Sequence, residues 1–129
     1  MSKWSASATV RYVGRTVLIV DDHPGFRAAA RGLLEAGDFD IVGEAEDGAS
    51  AVAAAAELRP EIVLLDIQLP DLDGFAVAER LTEDGVGSAI VLISSRDASA
   101  FRRRLRANPK WSFIPKSELS REALLAVLA

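Results

Sequence analysis

Residues 61–66 read Glu61-Ile62-Val63-Leu64-Leu65-Asp66. Four consecutive apolar residues run straight into one carboxylate, with Arg59-Pro60 before them and Pro70 shortly after. A short, continuous run of Ile, Val and Leu is the pattern of a strand buried on both faces, as in a parallel sheet. A buried helix segment is the competing reading, but the flanking prolines leave it too little length. The strand therefore delivers Asp66 to its own C-terminal end, which in open α/β sheets is the edge where ligands bind.

The same pattern recurs on either side. Thr16-Val17-Leu18-Ile19-Val20 ends in Asp21-Asp22, and Ala89-Ile90-Val91-Leu92-Ile93 closes on Ser94-Ser95. Shorter strands are predicted over 41–45 and 111–114, with Pro115 placing Lys116 just past the last one. Helical spacing fills the gaps. Pro24 occupies a first turn followed by Phe26, Ala29, Ala30, Leu33 and Leu34, with Gly37 as the stop. Asp47-Gly48 caps an alanine-rich helix through Ser50 to Leu58, halted by Pro60. Asp73 caps a helix carrying Phe75, Ala78 and Leu81, which ends near Asp84-Gly85. Ala98, Phe101 and Leu105 share one face of a fourth helix, whose other face is Arg102, Arg103, Arg104 and Arg106. Ser117 or Ser120 starts a last helix through Leu124, Leu125 and Leu128. Strand–helix repeated five times predicts an α/β fold, a parallel sheet with helices on both faces joined by right-handed crossovers. Residues 1–14 show no clear period and are expected to form a flexible leader.

The composition narrows the chemistry. The chain has 129 residues, enough for one domain with a proper core, and no cysteine. That excludes a disulfide framework, a thiolate zinc site and thiol catalysis. The first residues lack a signal-peptide core, and no apolar run nears the roughly 18 residues of a spanning helix. A cytoplasmic protein without a membrane partner is expected. The net charge of −4 hides an asymmetry: residues 1–95 carry 7 basic and 16 acidic side chains, residues 96–129 carry 8 basic and 3 acidic. An acidic front and a basic back suggest a cation site in the first part and an interaction face in the second.

Strand ends bring Asp21, Asp22, Asp66, Ser94 and Lys116 to one edge. Three carboxylates close together do not all stay ionised without help, so either one is protonated or a hard cation sits among them. An oxygen-only set, without His or Cys, suits Mg²⁺ or Mn²⁺. A carboxylate facing such a cation can attack phosphorus to form an aspartyl phosphate. An ammonium and a hydroxyl, such as Lys116 and Ser94, can hold the remaining oxygens.

These five residues, in order and separated by 44 (Asp22 to Asp66), 28 (Asp66 to Ser94) and 22 positions (Ser94 to Lys116), resemble the receiver domain of two-component response regulators. The phrases Val-Leu-Ile-Val-Asp-Asp-His-Pro, Leu-Leu-Asp-Ile-Gln-Leu-Pro-Asp-Leu-Asp-Gly and Phe-Ile-Pro-Lys-Ser match as well, and the resemblance covers residues 15–129. It implies a doubly wound, flavodoxin-like five-stranded sheet of order 2-1-3-4-5. It implies that Asp66 accepts a phosphoryl group from a sensor histidine kinase or phosphotransfer protein. Asp21, Asp22 and Asp66 would bind Mg²⁺ with the backbone carbonyl of Gln68, and Lys116 would contact the phosphoryl group. Ser94, chosen over Ser95 by spacing, and Phe113 would form the switch, and Gln68 and Arg96 would tune the phosphoryl lifetime. Residues 96–129 would form an output surface for a homodimer or effector. Lys116-Ser117 replaces the family's common Lys-Pro with its cis peptide, which leaves that isomer open.

Blander readings compete at single residues. Asp21-Asp22 alone also reads as a capping turn, and Asp66 alone as a loop residue; their joint arrival with Lys116 favours a site. His23 is read as an exposed loop residue rather than a ligand. Asp71-Leu72-Asp73-Gly74 is read as a loop and helix cap rather than a calcium loop. The arginine face is read as solvated or as a protein contact rather than a nucleic-acid surface, since it lacks interleaved aromatics. Trp111 is read as half-buried packing. Two other functions remain in view: a phosphorylation-independent docking adaptor, and an aspartyl-phosphate phosphatase. The phosphatase would want a second acid at position 68, where this chain has Gln. The expectation is a signalling domain and not a turnover enzyme. The chain stops at or slightly before the natural end of a fifth helix, consistent with a stand-alone receiver or with part of a regulator whose C-terminal domain would bind DNA.

Overall fold

The computed structural model describes residues 15–129, so the leader expected over residues 1–14 lies outside the described residues. The elements are β1 (Arg15–Val20), α1 (Pro24–Glu35), β2 (Phe39–Ala45), α2 (Gly48–Leu58), β3 (Ile62–Asp66), α3 (Gly74–Glu83), β4 (Ala89–Ser94), α4 (Arg102–Ala107), β5 (Ser112–Pro115) and α5 (Arg121–Leu128). Short 3₁₀ turns, Ala98–Phe101 and Lys116–Glu118, precede α4 and α5. The five strands pair in parallel in the order β2-β1-β3-β4-β5. The parallel sheet is the one expected from the repeat, and its order is the one that the receiver resemblance implies.

Alternation along the central strands builds two cores. Leu18, Val20, Val63, Leu65, Ile90 and Leu92 face α2, α3 and the turn before α4, where they meet Ala51, Ala55, Phe75, Val77, Ala78, Leu81 and Phe101. Val17, Ile19, Ile62, Leu64, Val91 and Ile93 face the other way, onto Ala30 and Leu34 of α1 and Leu124 of α5. Strand side chains point to opposite faces in turn, so a run apolar at every position must be covered on both sides. Each large aliphatic side chain buried this way stabilises the fold by about 1.5–3 kcal/mol. The alanine-rich α2 lies against the sheet through fully buried Ala51 and Ala55. Its N-terminus is set by a capping box between Asp47 and Ser50, a device worth about 1 kcal/mol.

Several local expectations change. The predicted fourth helix is broken: Ala98–Phe101 is a 3₁₀ turn led by Asp97, whose side chain accepts from the Ser99 amide, and only six residues follow as α4. Phe101 is buried and Leu105 partly so, but Ala98 is exposed. Trp111 is 7% exposed rather than half-buried, with its ring 6.2 Å from that of Phe75, and β5 begins one residue after it. The last helix is capped by Ser120, because Ser117 is taken up in the 3₁₀ turn. Among the described residues no peptide is cis, so Lys116–Ser117 is trans. No helix among the described residues is long and apolar enough to cross a membrane.

Candidate functional site

The order of strands reverses between β1, which neighbours β2, and β3, which continues toward β5. A crevice opens at the C-terminal ends of strands at such a switch point. β1 feeds Asp21 and Asp22 into it, and β3 feeds Asp66. Asp21 is fully buried and Asp66 is 2% exposed, both held by the apolar strands that carry them. Lys116, from the turn after β5, reaches across with its Nζ 2.6 Å from Asp21 Oδ2 and 3.2 Å from Asp66 Oδ2. Its ammonium also lies over Phe26 of α1, with Nζ 4.7 Å from the ring centroid.

The two buried acids are tuned apart. Burial pushes the Asp66 carboxyl up, helped by the charge of Asp21, and outweighs the Gln68 amide and Lys116, which pull it down. Burial also pushes Asp21 up, but there Lys116 and the His23 amide prevail and hold the carboxyl below its ordinary value. Asp66 Oδ1 accepts from the Gln68 amide at 3.0 Å, and Asp21 Oδ1 accepts from the His23 amide at 2.8 Å. Two neighbouring carboxylates displaced in opposite directions are suited to different tasks, one to stay charged and one to act as a base or nucleophile.

Oxygens of Asp21, Asp22 and Asp66 and a nitrogen of His23 all lie within 4.8 Å of one another. Asp22 Oδ1 is buried with no hydrogen-bond partner, and buried Asp21 Oδ2 is held by the Lys116 ammonium as an ion pair at 2.6 Å. A buried carboxylate oxygen without a partner, such as Asp22 Oδ1, is costly, and a hard divalent cation would satisfy it. The residues present therefore fit such an ion. One expectation is corrected here. The carboxylates do not stand without a histidine nearby, because His23, although an exposed loop residue as expected, has Nδ1 3.0 Å from Asp21 Oδ1 and 3.1 Å from Asp22 Oδ1.

The remaining candidates sit around this centre. Ser94 is fully buried at the end of β4, one residue beyond Ile93, which registers with Asp66; its Oγ accepts from the Arg96 amide at 3.0 Å. Phe113 lies outside the acidic cluster. It is half-buried in the core on the α2–α3 side, 6.0 Å from the Phe101 ring. Arg96 is exposed, with its guanidinium 5.7 Å from that same ring. Gln68 is exposed and forms a β-bridge with Asp73.

Other supports were invisible in the sequence. Arg27 donates from Nη1 to the Asp21 carbonyl at 2.6 Å and pairs through Nε with Glu44. Asp71 accepts from the Gly48 and Ala49 amides at the start of α2, at 2.7 and 3.0 Å. Asp73 caps α3 and also holds Arg104 of α4 at 2.7 Å. Gly74 is required at its place, since a Cβ there would strike the Asp66 carbonyl and come within 2.7 Å of Ile67 Cα.

Residues 17–129 match the family model of the response regulator receiver domain. The chain belongs to that family. Among curated relatives, BvgA of Bordetella pertussis, named as a positive transcription regulator of virulence factors, is 36% identical over 88% of this chain and 54% of its own length. The chain thus spans about half the length of the curated relatives it matches. The signal receiver domain of a Mycobacterium tuberculosis response regulator named NarL superposes with a TM-score of 0.78 at 32% identity, covering 90% of this chain and 94% of that one. The receiver-fold protein CheY of Borrelia burgdorferi, solved in a complex with CheX, BeF₃ and Mg²⁺, gives 0.75 at 26% identity, covering 90% and 87%.

Proposed function

We propose that this receiver domain is a phosphoacceptor switch in which Asp66 takes a phosphoryl group from the phosphohistidine of a sensor kinase or phosphotransfer protein. The observation that carries the reading is the state of Asp66: a carboxyl 2% exposed, raised in basicity by burial, beside an ammonium and two further acids. Asp21, Asp22, Asp66 and the backbone carbonyl of Gln68 would hold Mg²⁺ or Mn²⁺. The cation, when bound, neutralises charge on the transferring group. The CheY complex with BeF₃ and Mg²⁺ supports this choice of ion.

One Asp66 oxygen attacks phosphorus, the phosphorus–nitrogen bond of the donor breaks, and the imidazole nitrogen keeps the electron pair. Lys116, already within 3.2 Å of Asp66, holds a phosphoryl oxygen. Ser94 only accepts from the Arg96 amide, which leaves its hydroxyl proton to donate. Its movement toward the phosphoryl group frees space that Phe113 follows. The face of residues 96–129 then shifts between two populated states, presenting a surface to an effector or a second copy. Gln68 and Arg96 flank the phosphoryl position and set its lifetime. DNA would be reached only through a C-terminal domain outside this chain. The domain is an acceptor and not a turnover enzyme.

The test is incubation with Mg²⁺ and acetyl phosphate, read by intact mass, and with beryllofluoride, read by amide NMR. One phosphoryl adduct is expected, lost on Asp66→Asn and on chelation of the metal. An adduct that survives Asp66→Asn overturns the reading. A partner that binds Asp66→Ala and the phosphorylated protein equally well would favour the docking-adaptor function instead.

A further inference from the structure

We propose that His23 supplies its Nδ1 as a nitrogen ligand to the divalent cation at Asp21, Asp22 and Asp66, which tilts the site toward imidazole-binding ions such as Zn²⁺. The inference rests on the reading above that these acids hold a cation, and goes beyond it by changing which cation they prefer.

His23 stands at the N-cap position of α1, where a side chain ordinarily caps the helix, yet its imidazole makes no capping hydrogen bond. Pro24 follows it and holds it extended, at φ −97° and ψ 109°. The ring turns back over the acids instead. Its Nδ1 lies 3.0 Å from Asp21 Oδ1 and 3.1 Å from Asp22 Oδ1. With metal–ligand bonds of about 2.1 Å, adjacent ligands of an octahedral shell stand roughly 3.0 Å apart. Nδ1 is therefore spaced from each of the two oxygens as a neighbour on one coordination shell.

Hydrogen bonding alone explains only half of this. The contact to Asp21 Oδ1 has hydrogen-bond geometry, whereas Asp22 Oδ1 remains buried without a partner. The hydrogen bond to Asp21 leaves Asp22 Oδ1 unsatisfied; a cation facing all three atoms would satisfy it. The distal side of the ring faces solvent, the side chain being 67% exposed, so an ion can enter past it. Imidazole favours Zn²⁺, Cu²⁺ and Ni²⁺, while carboxylates and carbonyls suit Mg²⁺ and Mn²⁺. One nitrogen among oxygens shifts the balance toward the first group.

The chain makes the test clean, since it has one histidine and no cysteine. Untagged protein and its His23→Ala variant are titrated calorimetrically with Zn²⁺ and, separately, with Mg²⁺. In parallel, the ¹⁵N signals of the single imidazole are followed during both titrations. Removing the imidazole is expected to weaken Zn²⁺ about tenfold or more and Mg²⁺ several times less. In the wild type, Zn²⁺ is expected to shift the Nδ1 signal far more than the Nε2 signal.

Equal losses for both ions would make His23 a positioning group for Asp21 and Asp22 and overturn the proposal. Tighter binding of both ions without the imidazole would make it a competing counter-charge and overturn the proposal as well. Zn²⁺ binding at Nε2, or unaffected by His23→Ala, would do the same. If Mg²⁺ binds the wild type while Zn²⁺ ignores His23, this inference alone fails. If neither ion binds at the acids, with Asp22→Asn indistinguishable from wild type, the cation reading fails and this inference with it.

Discussion

At the C-terminal ends of β1 and β3, Asp21 and Asp66 are almost wholly enclosed, each hydrogen-bonded to a backbone amide and each in reach of Lys116. The α4 region differs at every level. It begins as a 3₁₀ turn, continues for six residues as α-helix and buries none of them. Its clearest ties are Arg104, which lies 4.1 Å over the Phe75 ring and pairs with Asp73, and Phe101, which seats the turn in the core. One region is fixed by buried strands that converge from across the sequence. The other is short, rich in arginine and held by a few side chains. Segments with few buried apolar contacts open at low free energy, so the difference predicts a rigid acidic edge beside a readily displaced helix.

The largest effect that would test this contrast is at Lys116. Breaking a buried ion pair leaves uncompensated charge, so Lys116→Met is expected to lower stability by about 3 kcal/mol in metal-free buffer. Denaturant unfolding checks it, and Mg²⁺ should restore part of the loss by neutralising the same acids. A loss near zero would mean that the acidic edge is not held by this ammonium. Next is Gly74→Ala, expected to cost about 2 kcal/mol through overpacking against the backbone at Asp66, and to perturb the amides of 66–68 in NMR.

Arg104→Ala should behave in the opposite way. Its pair with Asp73 is half exposed, so global stability should fall by only about 0.5–1 kcal/mol. Amide exchange over residues 98–107 should nonetheless accelerate markedly. Uniform loss of protection across the molecule would erase the distinction between the two regions.

The smallest effect concerns pH. The amides of Gly48 and Ala49 hold the Asp71 carboxyl below its ordinary value. A depressed carboxyl stabilises the fold above its unfolded pKa, about 3.9, and loses that contribution as pH falls through the folded value. The stability gap between wild type and Asp71→Asn should therefore be full at neutral pH and close in acid. Gly48 amide shifts should titrate with it.

The three inner strands, β1, β3 and β4, are legible in the sequence because an apolar run at nearly every position admits few interpretations. Once the order of the sheet is expected, Asp21, Asp66, Ser94 and Lys116 have to arrive at one edge. Caps at Asp47 and Asp73 are legible for a similar reason, as each acts within its own turn. What stays hidden acts across the chain. Asp71 reaches an amide 23 positions away, and no periodicity encodes such a contact. His23 reads as exposed, which it is, but the direction of its ring follows from Pro24 and from the space over the acids. The break before α4 is masked because Ala98, Phe101 and Leu105 satisfy helical spacing, while Asp97 satisfies its local amide with a tighter turn. Arg59 takes a left-handed conformation, with φ 44°, at the end of α2, where Pro60 suggests only a stop.

The segment from Gln68 to Asp73 is a surface loop, the kind of place where natural proteins gain and lose residues freely. This one cannot. Asp71 fastens the start of α2 and Asp73, two positions later, fastens the start of α3 while gripping α4. Gly74 then closes the loop against the backbone of Asp66. A single inserted residue would unseat two helix starts together, so this loop tolerates changes of side chain better than changes of length, and it is the wrong place to graft a tag or a reporter.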